Sequence, residues 1–290
     1  MFSFLLTLFL AVTSTSASLV PYINISITSS EYDRYFLLTL PPKFDRNVPT
    51  SIIFSFHGGN RTADQQYHLS RMSDTFFNDF AIVVYPQGIN KTWQGIPGAK
   101  TNDIVFTQDI LASLSTAYTL DTSRIFATGK SQGGGFCGTL ACDPIMSTQI
   151  AAFAPVSGAF YVKNDTKCQP ESIDIPCNAA RQVPIIEFHG GDDHTIDYEG
   201  KGRRRQCLPS IPHWVEEWVL RDELEGVEES KIGTGNATLY KYGGGIVSHV
   251  FDRGIGHDWP STIKNADNKG LVATFNASQM VVEFFKTYSL

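Results

Sequence analysis

Short runs in which nearly every position is apolar, β-branched or aromatic recur along the chain, separated by segments with apolar residues at helical spacing. Ser51–Phe56, Ala81–Tyr85, Arg124–Thr128, Val183–Phe188 and Leu239–Tyr242 read as strands, with His249–Phe251 a shorter candidate. The inner runs are apolar on both faces, the pattern of parallel strands covered by helices. Residues 23–30 and 34–40 precede them as an opening antiparallel pair. Helices are expected over Asp103–Tyr118, Pro212–Glu223 and Ser278–Tyr288. The first carries Ile104, Val105, Ile110, Leu111 and Leu114 at helical spacing, and Pro212 suits the first turn of the second. This alternation predicts an α/β fold, a mostly parallel central sheet flanked by helices. In such folds ligands bind at the carboxyl ends of the strands.

The N-terminal pattern is different. Phe2–Val12 is a largely apolar stretch but shorter than the ~20 residues of a membrane-spanning helix. Small residues follow, with Thr15 and Ala17 spaced as a cleavage site, so residues 1–17 read as a secretory signal peptide and 18–290 as one catalytic domain. No second long apolar run predicts a membrane span. Six N-x-S/T triplets, at Asn24, Asn60, Asn90, Asn164, Asn236 and Asn276, suit a secreted, glycosylated extracellular chain. The five cysteines are an odd number, so at most two disulfides leave one thiol over. Cys137 and Cys142 lie five apart on an expected helix, about 8–9 Å between Cα atoms, beyond the ~7 Å a disulfide spans. They therefore need other partners, with Cys168 and Cys177 as the natural reservoir.

Composition narrows the function classes. Hydrophobic residues make up 42% of the chain and charged residues 18%, enough for a sizeable core and too apolar for disorder. The formal charge of -6, without a long basic run, argues against nucleic acid as partner; the triplet Arg203-Arg204-Arg205 is short and sits near Glu199. A monomer is expected. No CxxC pair or ligand-spaced cluster implies a metal, and no cofactor is implied.

The strongest local signal is RIFATGKSQGGGF at 124–136, in which Gly129-Lys130-Ser131-Gln132-Gly133 fits G-x-S-x-G. A strand precedes it and a small-residue helix follows, the arrangement of a nucleophile elbow with Ser131 at its tip. A serine hydroxyl needs a base. In this architecture the acid and then the histidine follow the serine along the chain. Among the downstream histidines, His257 in GIGHDWP is favoured because its glycine-flanked loop follows a strand candidate. His213 and His249 fall in a helix and a strand. The acid is expected after Val183–Phe188, where Asp192, Asp193 and Asp197 are available, and sequence pattern alone does not separate Asp192 from Asp193. Oxyanion donors are expected from the backbone N–H of Gln132 and from the His57-Gly58-Gly59-Asn60 loop, with Gly59 first and Asn60 second.

From about residue 22 to the end, the chain resembles secreted fungal-type feruloyl esterases, within the wider group that includes polyhydroxybutyrate depolymerase-like and acetyl xylan esterase-like enzymes. FSFHGG (54–59), VVYPQG (83–88), NDIVF (102–106), DTSRIFATGKSQGGG (121–135), AAFAPVSG (151–158), HGGDD (189–193), IPHWVEEW (211–218) and GHDWP (256–260) carry the resemblance. It implies the α/β-hydrolase fold, Ser131 as nucleophile and His257 as general base, and it selects Asp193 over Asp192 as the acid. It also implies feruloylated plant cell-wall polysaccharide, or a small aromatic ester, as substrate. Acetyl xylan esterase and polyester depolymerase activity are the alternatives, with a non-enzymatic binding protein on a hydrolase scaffold a third. Trp259, Trp93 and Tyr198, with Gln94, are candidates for an aromatic wall beside the ester. As a base, His257 is expected to titrate around pH 6–7. The roles of Lys130 and Asp197 stay open.

Overall fold

The computed structural model describes residues 19–163 and 167–290; residues 1–17, read above as a signal peptide, and the Asn164 triplet lie outside the described residues. In chain order the elements are β1 (Ile23–Ser29), β2 (Tyr32–Thr39), β3 (Thr50–Phe56), α1 (Ala63–Ser70), β4 (Ala81–Pro86), α2 (Asp103–Ala117), β5 (Leu120–Lys130), α3 (Gln132–Cys142), β6 (Ala152–Val156), β7 (Ile185–Gly190), β8 (Lys201–Arg203), β9 (Gln206–Leu208), α4 (Ile211–Arg221), β10 (Val227–Ile232), β11 (Ala237–Tyr242), β12 (Val247–Asp252) and α5 (Ala277–Lys286). Ten of the strands form one sheet in the order β1-β2-β4-β3-β5-β6-β7-β12-β11-β10. The six central strands, from β4 to β12, run parallel, and antiparallel pairs close both edges. β8 and β9 form a separate hairpin.

Alternation along the strands divides the core into two layers. Ile52, Phe54 and Phe56 of β3, with Ile125 and Ala127 of β5, face one layer, filled by Phe106 and Ile110 of α2, Phe136 and Leu140 of α3 and Trp214 of α4. Ile53 and Phe126 face the other, filled by Tyr67 of α1 and Val281 and Phe285 of α5. Phe126 stacks on Phe285 at 4.8 Å between ring centroids. Truncating such a buried aromatic to alanine typically costs about 3–5 kcal/mol.

Five elements escaped the pattern reading: α1, β6, β10 and the three-residue strands β8 and β9. α1 has little apolar periodicity but carries a capping box, in which the Thr62 hydroxyl accepts from the Gln65 N–H and the Gln65 side chain accepts from the Thr62 N–H. β10 is an edge strand whose side chains are almost all exposed, so burial imposed no pattern on it. β6 is short and wholly buried. The disulfides join Cys142 to Cys177 and Cys168 to Cys207, and Cys137 is a buried free thiol. Cys137 and Cys142 are thus not bonded to each other, as the helical spacing required; Cys142 draws on Cys177 as expected, whereas Cys137 takes no partner and Cys168 pairs with Cys207.

Candidate active site

Ser131 stands between the end of β5 and the start of α3, with φ 55° and ψ -114°. A left-handed φ is strained for serine and turns the side chain out of the sheet. The surroundings over-determine the turn. Ser131 N–H donates to the Val156 carbonyl at 2.9 Å, and its own carbonyl accepts from Gly135 and Ala159. Glycine is required nearby: a Cβ on Gly133 would lie 2.2 Å from the Phe56 carbonyl oxygen, and one on Gly129 would lie 2.6 Å from Gly133 backbone. The G-x-S-x-G spacing therefore follows from three backbones in close approach.

His257 lies on the loop after β12, and its Nδ1 is 2.7 Å from Asp193 Oδ2. Because a carboxylate only accepts, that nitrogen carries the proton and Nε2 is left with its lone pair. Asp193, buried on the loop after β7, also accepts at Oδ1 from the Thr195 and Ile196 N–H groups, both at 2.8 Å. Burial alone would raise its pKa, but hydrogen bonds from His189 and His257 outweigh burial and hold the carboxyl well below the usual range. Asp192 points elsewhere, 3.2 Å from the exposed His194. Asp197 pairs with Lys201 at 2.8 Å. Gly190 lets the His257 loop come near: a Cβ there would sit 2.0 Å from the Ile255 carbonyl oxygen.

Behind Asp193 is a buried chain that sequence reasoning missed. His189 Nδ1 lies 2.8 Å from Glu187 Oε1, and its Nε2 lies 2.8 Å from the Ile196 carbonyl and 3.4 Å from Asp193 Oδ2. Both ring nitrogens face acceptors, so both must donate, and the ring is an imidazolium. Burial opposes that charge, but Glu187 and Asp193 raise the pKa to about 10. Glu187 Oε2 in turn lies 2.9 Å from His249 Nδ1. The alternation of His189 with Glu187 on β7 was the available signal, since buried charges on one strand face call for one another.

Lys130 is folded beneath the same loop. Its ammonium donates to the His257 carbonyl at 3.2 Å and lies 3.6 Å from Asp267 Oδ2. Burial and then Lys130 push the His257 pKa down to about 4, against the opposing pull of Asp193. The value expected from sequence, around 6–7, belongs to a solvated imidazole without a cationic neighbour; this ring has neither freedom.

Ser131 and His257 line one cavity of about 330 Å³, together with Gly58, Gly59, Gln132 and Lys130. Among the described residues no hydrogen bond yet joins Ser131 to His257 across it. Gly59 packs against the Gln132 side chain so closely that a Cβ there would lie 2.4 Å from it. The loop carrying Gly59 is fixed from behind. His57 Nδ1–H donates to the Gly58 carbonyl, its Nε2 accepts from the Gly88 N–H at 3.0 Å, and Trp93 Nε1–H donates to the His57 carbonyl at 2.7 Å. Burial lowers the His57 pKa to about 4, in keeping with this neutral tautomer.

The aromatic wall is corrected. Trp93 and Trp259 are both 0% exposed, so neither surface is open to a substrate. Trp93 packs between Phe56 and Phe136 behind the Gly59 loop, and Trp259 donates to Ser278 Oγ in the other core layer. Tyr198 stacks on His249 and packs at a tilt against Phe251, away from the cavity lining, and Gln94 caps the start of α2. Chain proximity to His257 misled for Trp259, and for both tryptophans the large apolar area was worth more buried. The apolar lining is instead Leu69, Ala159, Tyr161, Ile196 and Ala266. Among the described residues, no group of three or more His, Cys, Asp or Glu is arranged to hold a metal, and no helix is long and apolar enough to cross a membrane.

A strained serine after the fifth strand of such a sheet, with histidine and carboxylate on loops after later strands, fixes the architecture. The chain has the α/β-hydrolase fold. The structure of an acetyl xylan esterase from Aspergillus awamori superimposes with a TM-score of 0.61 over 81% of this chain and 94% of that one, at 17% identity. In sequence, the chain is 27% identical over 230 residues to a bifunctional acetylxylan esterase/xylanase of Neocallimastix patriciarum, covering 75% of this chain and 30% of that protein. It is 33% identical over 177 residues to a probable feruloyl esterase C of Aspergillus oryzae, covering 58% of each. The chain thus spans less than two thirds of the curated relatives it matches. No family model matches it.

Proposed function

We propose that this chain is a serine esterase that releases ferulic or related hydroxycinnamic acids from plant cell-wall polysaccharide esters. The observation that carries the reading is the strained Ser131 sharing a cavity with His257, whose Nδ1 is held at 2.7 Å by Asp193. Likeness to feruloyl and acetyl xylan esterases supplies the substrate class.

The chemistry follows from the donor and acceptor positions. The ester carbonyl enters beside Ser131. As Oγ forms a bond to the carbonyl carbon, its proton passes to His257 Nε2 and the carbonyl π electrons move to oxygen. The N–H groups of Gln132 and Gly59 stabilise that oxyanion, a contribution of ~3 kcal/mol for each well-placed donor. The electrons return, the C–O bond to the alcohol breaks, and the imidazolium gives its proton to the leaving oxygen. Water then repeats the sequence on the Ser131 acyl ester and releases the acid. Asp193 holds the tautomer and offsets the transient imidazolium. Leu69, Ile196 and Tyr161 offer the acyl chain apolar contact.

A second reading, acetyl ester hydrolysis, is favoured by one observation. With Trp93 and Trp259 in the core, Tyr161 is the one Tyr, Trp or Phe among the described residues lining the cavity. Initial rates on methyl ferulate and on 4-nitrophenyl acetate, each with Ser131→Ala beside wild type, separate the two. Serine-dependent ferulate release supports the first reading. Acetate release alone moves the assignment to the second, and turnover of neither by folded protein removes both.

A further inference from the structure

The arginine triplet at 203–205 has no part in the mechanism above, yet the fold brings it to the mouth of the same cavity. β8 and β9 form a hairpin whose tip is Arg204-Arg205, with Arg203 paired to Gln206. Arg204 and Arg205 have φ of 50° and 59°, a two-residue turn that normally selects Asn-Gly. Two arginines in a left-handed turn are a costly choice for folding alone. The hairpin is also anchored. Cys207 of β9 is bonded to Cys168 and exchanges backbone hydrogen bonds with Val162 at 2.8 and 3.0 Å. Arg203 donates to the Thr195 carbonyl at 2.6 Å, on the loop that carries Asp193.

Arg203 and Arg204 line the cavity with Ser131 and His257, and Arg61, beside Gly59, lines it too. The other charges in the lining are already engaged. Lys130 faces Asp267 at 3.6 Å. Asp64 accepts from the Tyr22 hydroxyl at 3.0 Å and faces His68 at 3.6 Å. Among the described residues, none of the three arginines is in an ion pair, which leaves the mouth with excess positive charge. The whole chain carries -6, so this cationic focus is local and opposite in sign to the protein's net field. Arg61 and Arg204 are exposed. Rim groups meet what projects from the cavity toward solvent, and in an ester of a polymer that is the alcohol side.

We propose that Arg203 and Arg204, with Arg61, recognise a carboxylate on the alcohol portion of the ester, such as a uronic acid in the polysaccharide. A planar guanidinium pairs with a carboxylate through two parallel N–H bonds, which a neutral sugar does not accept. The inference deepens the esterase reading and rests on it.

The test uses one feruloylated oligosaccharide containing a uronic acid and the same compound with that carboxylate reduced to the alcohol. Initial rates are measured at low and high salt. Wild type is expected to favour the acidic compound at low salt by about tenfold in kcat/KM, the scale of two solvated charge-assisted contacts, and to lose most of that preference at high salt. The R203Q/R204Q double variant is expected to lose the preference, and R203K/R204K to retain part of it. Equal kcat/KM for the two compounds in wild type, with ferulate released from both, overturns the carboxylate site and leaves the esterase reading standing. A preference that survives both high salt and R203Q/R204Q overturns the arginine assignment. Failure to release ferulate from either compound or from methyl ferulate overturns both readings.

Discussion

Replacing Lys130 by methionine keeps the length of the side chain and removes one buried charge beneath the His257 loop. Lys130 is buried, donates to the His257 carbonyl at 3.2 Å, and faces Asp267 at 3.6 Å. A neighbouring charge in such a site typically moves a pKa by ~1–3 units. Asp267 cancels part of the effect, so the lower end, ~1 unit or about 1.4 kcal/mol, is the expected share. The sign follows from the chemistry. His257 acts as a base only when neutral, and its pKa is lowered to about 4 by burial and by Lys130. Wild-type kcat/KM on methyl ferulate should therefore hold down to about pH 5 and fall below it. Lys130→Met should move that acid limb upward by about one unit. Asp267→Asn leaves the ammonium uncompensated and should move it downward. Both profiles are read from initial rates between pH 3 and 8, with melting temperatures recorded alongside. Mere damage to the loop would lower both profiles without shifting their limbs in opposite directions. An unmoved limb in Lys130→Met, or shifts of the same sign in both variants, refutes the electrostatic coupling.

Three further expectations follow from the same geometry. Asp193→Asn replaces an acceptor that holds the His257 tautomer, so kcat on methyl ferulate should fall by roughly 10⁴ with little change in KM. The raised pKa of His189, about 10 in the fold, means its contribution to stability is full below its unfolded value near 6.5 and is lost as pH rises through about 10. Melting temperature should accordingly fall from pH 7 to pH 10, and His189→Gln should flatten that dependence while lowering the value at pH 7. Gly133→Ala forces a Cβ to 2.2 Å from the Phe56 carbonyl oxygen and should cost about 3 kcal/mol or more, read as a lower urea midpoint or loss of soluble protein.

What could be read from sequence depended on how local the cause was. The elbow was legible because the strand, the turn and the glycines that permit its close contacts are contiguous between Arg124 and Gly135. The inner strands were legible because burial on both faces leaves a near-continuous apolar run. His257 and Asp193 are 64 residues apart, and chain order with the family resemblance brought them to one candidate pair, now joined at 2.7 Å. Where burial alone decides a side chain's use, sequence did not suffice. Trp259 stands two residues from His257 in the chain, yet it and Trp93 turn into opposite core layers. The role of Lys130 stayed open in sequence, and the fold makes it a buried cation tied to a loop 127 residues away. The charged network of Glu187, His189 and His249 was hidden for the same reason, since a sheet register had to bring β7 and β12 together first. α1 lacked periodicity, and its Thr62–Gln65 box was the one local sign of it.

The central claim is that Ser131 forms a covalent ester with a hydroxycinnamoyl group during turnover. Rapid mixing with a feruloyl ester, acid quench within the first turnovers and peptide mass analysis test it directly. The account expects a feruloyl adduct on the peptide containing Ser131, absent from Ser131→Ala, which should also release no ferulate above background. Ferulate release undiminished in Ser131→Ala, or an adduct on another residue, would contradict it.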